Sequence, residues 1–383
     1  MKIGIITFHS SHNYGAFLQA YALREVVEKY TGAQVEIINF IMAISHAKNQ
    51  ELAEKNADDP VLSKAYRQLF TTFEESIRRY QTLSKEPLIS DDLDEINRYI
   101  ADQGYDLIIA GSDEIWKTHS YRGFPNAYFL TDPNAKYVKI SYAVSCRTPL
   151  FRFTPEMKEL VASYLAPFDY IGVRDEPTFE GLSYCCGSSD KMHYNCDPTF
   201  LYDFKADAER GRAILRDKFH LAEDGRKRIA LMCESEPLAK EVLRVADDGV
   251  VFVPLYRFYP EIGCPYVPDP FEWIDIIAAC DGMITTFFHG TVFSMKNNVP
   301  FCSFEKRNVE DNKASKIYDV LNRHGLAEHF GRLNDPELDV GARVRRFLDS
   351  VKAGTAPNDF SAACKAEGGR SQSFFDVLDG WKK

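Results

Sequence analysis

Residues 1–40 read MKIGIITFHSSHNYGAFLQAYALREVVEKYTGAQVEIINF, and this stretch decides the fold class. KIGIITF (2–8) is a short apolar run rich in β-branched residues, which predicts a strand. HSSHNYGA follows as a polar loop bearing a glycine, after which Phe17, Leu18, Tyr21, Ala22, Val26 and Val27 recur at helical spacing. VEIINF (35–40) supplies a second strand, so the chain opens as a βαβ unit with the usual right-handed crossover. The expected class is α/β.

Working outward, the rhythm breaks over residues 46–103, where ELAEKNADD, SKAYRQLFTTFEESIRRY and DDLDEINRYIADQG are charged and helical and contain no convincing strand. A helical insertion is expected there. Alternation resumes with YDLIIAGSDEIW, whose apolar run 107–110 ends in Gly111, Ser112 and Asp113, then YVKISYAV (137–144), a helix near 155–165, FDYIGVRD (168–175) and KMHYNCDP (191–198). After a charged helix around 206–218, a second α/β set begins near residue 225. Its strands are RKRIALMCES (226–235), GVVFVPLY (249–256), DGMITTFFHG (281–290) and NVPFCSF (298–304), with helical patterns at 237–246, 271–280 and 290–298. Helical patterns at 313–323, 336–351 and 373–381 close the chain, and the Gly, Ser and Ala-rich GTAPNDFSAACKAEGGRSQS before the last is expected as loop. The expected organisation is an N-terminal Rossmann-like domain over 1–204, a C-terminal Rossmann-like domain over 205–335 and a helical tail over 336–383. Two such domains are expected to face a cleft, with ligands at the strand ends.

Composition fits this. The 383 residues are about two and a half domain lengths. With 45% hydrophobic and 27% charged residues the chain has ordinary globular composition, which excludes disorder and low-complexity classes. A net charge of −10 gives a phosphate backbone no general attraction, so nucleic acid is excluded as a partner. Nine cysteines without CxxC spacing read as reduced, core-packed thiols of a cytoplasmic protein. His193 and Cys196 form a lone H-x-x-C, half a zinc site at most, and no metal is inferred. MKIGIITF is too short for a signal-peptide core, and no run approaches the ~20 apolar residues of a membrane span.

Four strand ends carry candidate chemistry. In His9-Ser-Ser-His12-Asn13-Tyr14-Gly15 a polar loop opens a helix, whose free N–H groups suit an anion or sugar hydroxyls; Asn13 and Gly15 serve equally as a cap and its turn. G-x-G-x-x-G is lacking, so a dinucleotide fingerprint is not supported. Asp113, directly after an apolar strand, can accept a substrate proton or simply make an Asx turn, while Trp116 can stack on a sugar or cover the sheet. Arg174 suits bidentate binding of carboxylate or phosphate, or else pairs with Asp175 or Glu176. His289, followed by Gly290 at a helix start, is placed to act as a general acid or meet an anion, although a lone histidine is often structural.

The order and wording of these motifs resemble the polysaccharide pyruvyltransferase family. The resemblance rests on KIGIITFHSSHNYGAFLQAYAL, IIAGSDEIW, KISYAVS, GVRDEPTFEGL, CDPTFLYD and ITTFFHGTVFSMKNNVPFCSF, covering roughly 1–40 and 100–325. It implies a two-Rossmann, GT-B-like fold. It also implies transfer of the enolpyruvyl unit of phosphoenolpyruvate to a sugar, forming a cyclic ketal in capsule or exopolysaccharide biosynthesis. Phosphoenolpyruvate is then a donor substrate and no cofactor is implied; the sugar acceptor can be lipid-linked, compatible with peripheral membrane association. The family's functional arginine maps onto Arg174 and its histidine onto His289, with Asp113 as a further catalytic candidate and Asn13, Gly15 and Gly290 at substrate-binding motif positions. Many members carry arginine two residues before the histidine, where this chain has Phe287. If that arginine anchors phosphate, Arg257, Lys306 or Arg307 must supply the charge here, each being otherwise a solvated surface cation. The rival readings are a GT-B glycosyltransferase using a nucleotide sugar and an inactive scaffold of the same fold. Joint presence of Arg174, His289 and Asp113 argues against the scaffold.

Overall fold

The computed structural model describes the chain apart from residues 55–59, 119–121, 147–154, 188–189, 256–261, 263–265, 307–311, 313–314 and 383. It forms two compact units, one of residues 1–55, 74–202 and 368–383, the other of 56–73 and 203–367.

In the first unit β1 (Lys2–Ile6) runs through α1 (Tyr14–Thr31) into β2 (Gln34–Ile37). Ile3, Ile5 and Ile6 are buried, as a central parallel strand covered on both faces requires. α1 begins where the Asn13 side chain accepts the Ala16 N–H and stops at Gly32, whose φ of 66° lets its N–H return to the Glu28 carbonyl. β3 (Phe40–Ile41) and α2 (Ala43–Glu54) lead into the insertion, which holds α3 (Pro60–Tyr80), grouped with the second unit through Phe73 and with the first from Glu74, then β4 (Leu88–Ile89) and α4 (Leu93–Asp102). Its reading as strandless is corrected at β4, which pairs in parallel with β3 over two residues, too few to produce a period. Then come β5 (Leu107–Asp113), β6 (Val138–Val144), α5 (Pro155–Leu165), β7 (Phe168–Val173), α6 (Glu176–Cys186) and β8 (Met192–Tyr194). The six-stranded sheet has the order β2-β1-β5-β6-β7-β8, with every pair parallel. Strand alternation divides its core. Leu107 and Ile109 pack with Leu23 and Val27 of α1 and with Phe374 and Leu378, whereas Ile108 and Ala110 pack with Trp116, Phe129, Val161 and Leu165.

The second unit contains α7 (Ala208–Asp217), β9 (Lys227–Met232), α8 (Glu236–Val245), β10 (Val250–Pro254), α9 (Pro270–Ala278), β11 (Gly282–Thr285), α10 (Phe288–Lys296), β12 (Phe301–Glu305), α11 (Lys316–Arg323), β13 (Phe330–Arg332), α12 (Val340–Lys352) and α13 (Ser361–Gly369). Its parallel sheet has the order β10-β9-β11-β12-β13. β13 was not expected from the sequence. α13 falls in the stretch expected as loop; there buried Glu367 is held by Arg323 and His324, each at 2.8 Å, a tertiary tie that overrides the glycine-rich composition. Residues 336–383, expected as one tail, divide: α12 groups with the second unit, and α14 (Gln372–Leu378) with the first. The H-x-x-C pair is separated in role, with His193 stacked on Tyr170 at 4.8 Å and Cys196 beside Ser371.

Candidate active site

In the first unit the polar residues gather at the carboxyl ends of β5 and β7, where open parallel sheets present ligands. Gly111 has φ 135°, and a Cβ there would overlap the Tyr142 carbonyl oxygen, so β5 reaches Asp113 through a position only glycine fills. Asp113 closes the strand with φ 82°. Arg174 follows β7 and is 3% exposed. Its Nη1 donates to Asp197 Oδ2 at 2.8 Å and its Nη2 to Asp113 Oδ1 at 3.2 Å. Burial works against its charge, but Asp113, Asp197, Asp175 and Glu114 together outweigh that and raise its pKa. The surface pairing with Asp175 or Glu176 is not what forms, because Asp175 instead caps α6 by accepting the Thr178 N–H at 3.0 Å. Asp197 also accepts the Thr199 N–H at 3.1 Å and hydroxyl at 2.7 Å. It was not singled out from sequence. Its signal was an acid in CDPTF just past a strand, the same placement that marked Asp113.

A buried network steadies this end of the sheet. Thr7 Oγ1 donates to the Ser112 carbonyl at 3.0 Å, Gln19 Nε2 donates to Thr7 Oγ1 at 3.1 Å, and the Ser112 N–H donates to Gln19 Oε1 at 3.2 Å. β1, β5 and α1 are thereby locked together. Asn13 is the cap described above, and Gly15 lies buried in the first turn of α1. His9 is also buried, its Nε2 3.3 Å from Asn39 Oδ1; desolvation lowers its pKa despite that bond. His12 Nε2 lies 3.2 Å from Glu74, whose pKa the bond lowers. Trp116 covers the sheet: it is fully buried, donates from Nε1 to the Tyr128 carbonyl at 2.9 Å and stacks on Phe129.

In the second unit the ends of β9, β11 and β12 converge. Thr285 Oγ1 donates to the Met232 carbonyl at 3.1 Å and accepts the Phe287 N–H at 3.0 Å. Phe287 occupies the N-cap of α10, and His289, 7% exposed, sits in its first turn. Gly290 lies so close to Thr285 that a Cβ would overlap its hydroxyl. Thr291 and Ser303 share a hydroxyl hydrogen bond of 2.7 Å that ties α10 to β12. Lys306, just past β12, forms an ion pair with Glu234 and places its Nζ 5.7 Å from the Phe287 ring centroid. Glu234 was not anticipated from sequence. Arg257 and Arg307 lie outside the described residues. Among the described residues no group of three or more His, Cys, Asp or Glu stands together to hold a metal.

A family model described as polysaccharide pyruvyl transferase matches residues 13–305. Comparison with curated protein sequences gives no match. Among solved structures, UDP-GlcNAc 2-epimerase from Methanocaldococcus jannaschii is similar over 99% of this chain and 100% of its own, at 11% identity and a TM-score of 0.58. The Neisseria meningitidis epimerase bound to UDP-GlcNAc is similar over 99% and 100%, at 12% identity and a TM-score of 0.55. The S. aureus MnaA–UDP co-structure is similar over 99% and 98%, at 9% identity and a TM-score of 0.53. At these identities the likeness concerns the fold alone, which is GT-B-like.

Proposed function

This chain belongs to the polysaccharide pyruvyl transferase family, and on that premise we propose that it transfers the enolpyruvyl unit of phosphoenolpyruvate to a sugar, forming a cyclic pyruvate ketal in cell-surface polysaccharide biosynthesis. The observation that carries the reading is the extent of the family match, which takes in strand ends of both units.

The reaction needs a proton at the methylene carbon of phosphoenolpyruvate, which leaves an oxocarbenium-like centre at C2. One sugar hydroxyl adds there, and a second displaces phosphate. One of the two hydroxyl protons balances the proton given to carbon, and the other leaves with phosphate. We assign proton donation to His289, in the first turn of α10, where the helix N-terminus also favours negative charge. Asp113 takes a hydroxyl proton. Arg174 is its positioning residue, since a buried guanidinium engaged by two carboxylates orients Asp113 more readily than it offers a fork to an anion. Lys306 holds the donor phosphate: it lies against Phe287, where the family pattern carries arginine, and Glu234 orients its ammonium. Asn13, Gly15 and Gly290 shape the loops on which the substrates rest.

The acceptor is a sugar, lipid-linked carriers included. Among the described residues no helix is long and apolar enough to cross a membrane, and we place the reaction at the cytoplasmic side. The test is incubation of the purified protein with phosphoenolpyruvate and a panel of UDP-linked and lipid-linked sugars, read by phosphate release and product mass. Phosphate release matched by pyruvyl gain supports the reading. Consumption of a nucleotide sugar, with phosphoenolpyruvate untouched, overturns it.

A further inference from the structure

At the start of β12, the end of the strand away from Lys306, a cavity of about 410 Å³ opens within the second unit. That volume suits a small molecule. Phe301 and Phe347 are among its apolar walls, and Arg343, Arg346, His329 and Ser350 are polar groups in its lining. Arg343 and Arg346 lie three residues apart on α12 and so share a helix face. The Arg343 guanidinium is fixed by donation from Nη2 to the Glu328 carbonyl and also reaches the Cys302 thiol, a weak acceptor in the same lining, yet its Nε is buried with no hydrogen-bond partner among the described residues. His329 lies 3.1 Å from the Phe301 carbonyl through Nδ1, which therefore carries a proton, and its buried Nε2, an acceptor in the neutral ring, has no hydrogen-bond partner among the described residues. The Glu328 carboxylate is 3.7 Å from that Nε2 and its side chain is 66% exposed, so water solvates most of its charge.

A buried guanidinium N–H without an acceptor is costly, and a bound anion supplies one. Two arginines select a negative head, while the phenylalanine walls give an apolar body more favourable contact than water does. We propose that this cavity is a binding site for a small organic carboxylate, the head between Arg343 and Arg346 and the body against Phe301 and Phe347. The proposal stands independently of the pyruvyl transfer reading, since none of these groups takes part in it.

The test is calorimetric titration of the full-length protein with sodium benzoate, with benzyl alcohol and sodium phosphate as probes lacking the charge or the ring. Saturable benzoate binding is expected, about tenfold or more tighter than either control. Arg346→Ala, at an exposed position that should not disturb folding, is expected to weaken it about three- to tenfold, and Arg343→Met by about tenfold or more. Lys306→Ala should leave it unchanged. Absence of saturable benzoate binding by the wild-type protein overturns the proposal. So do equal affinity in Arg346→Ala and in a folded Arg343→Met, phosphate binding as tight as benzoate in Lys306→Ala, where the proposed donor-phosphate anchor is gone, or loss of benzoate binding in that variant.

Discussion

Asp197 is fully buried and depends on the Arg174 guanidinium, which also reaches Asp113 at the end of β5. Removing one partner of such a group leaves a desolvated charge. Arg174→Ala should therefore cost about 3–5 kcal/mol in chemical denaturation, whereas Asp113→Asn, which keeps the volume, should cost under about 1 kcal/mol while lowering kcat about 10²-fold. Equal stability losses in the two would contradict the positioning role. In the second unit the assigned roles separate kinetically: His289→Gln should lower kcat about 10²-fold or more, and Lys306→Ala should chiefly raise the KM for phosphoenolpyruvate with folding intact. An unchanged kcat in the first or an unchanged KM in the second removes that residue from its role. His9 makes a stability claim. Burial holds its pKa below the ordinary 6.5, so between the two values the unfolded chain binds a proton that the folded chain does not, and stability rises with pH there. Its contribution is full above pH 6.5 and is lost as pH falls toward the depressed folded value. Urea midpoints measured between about pH 7.5 and pH 5 should fall less steeply in His9→Gln than in wild type, and parallel curves would refute this.

At the scale of elements, the loop before α1 had two readings, a ligand loop or a cap, and the structure gives Asn13 a capping bond to Ala16 at 3.1 Å. If capping is its whole role, Asn13→Ala should lower stability by about 1 kcal/mol and leave KM and kcat alone; a kinetic change larger than about threefold would give the side chain a substrate. The regular βα alternation was legible because β1, β5, β6 and β9 are apolar runs ended by polar residues. β4, β13 and α13 were not, because two or three paired residues make no period and because α13 is secured by Glu367 contacts remote in sequence. The same limit applies at the site. Asp113, Arg174 and His289 stood out as polar residues at strand ends, but their partners depend on chain crossings: Asp197 arrives from beyond β8, and Glu234 meets Lys306 across the sheet. Trp116 was ambiguous for a similar reason, since only the packing of Phe129 shows that its ring is buried.

For the whole molecule, the division into two parallel α/β units followed from length and alternation, while the return of α14 to the first unit did not. Its anchor is Phe374, inserted beside Tyr142 and Tyr170, with Ser371 bonded to the Tyr142 hydroxyl at 2.9 Å. Nothing in the local sequence of a terminal helix names the sheet it will cover. The family match spans both units, so the reaction proposed above belongs to the chain as a whole, with phosphoenolpyruvate to be protonated on carbon and its C2 to be joined to two sugar oxygens. The most direct measurement is turnover of the full-length protein with phosphoenolpyruvate and an accepted sugar in deuterium oxide, with the product examined by mass spectrometry and NMR. The expected product is a ketal whose methyl group carries one deuterium, formed in step with phosphate. A product without deuterium in that methyl group, or a sugar that gains mass from a nucleotide donor instead, would contradict the proposed reaction.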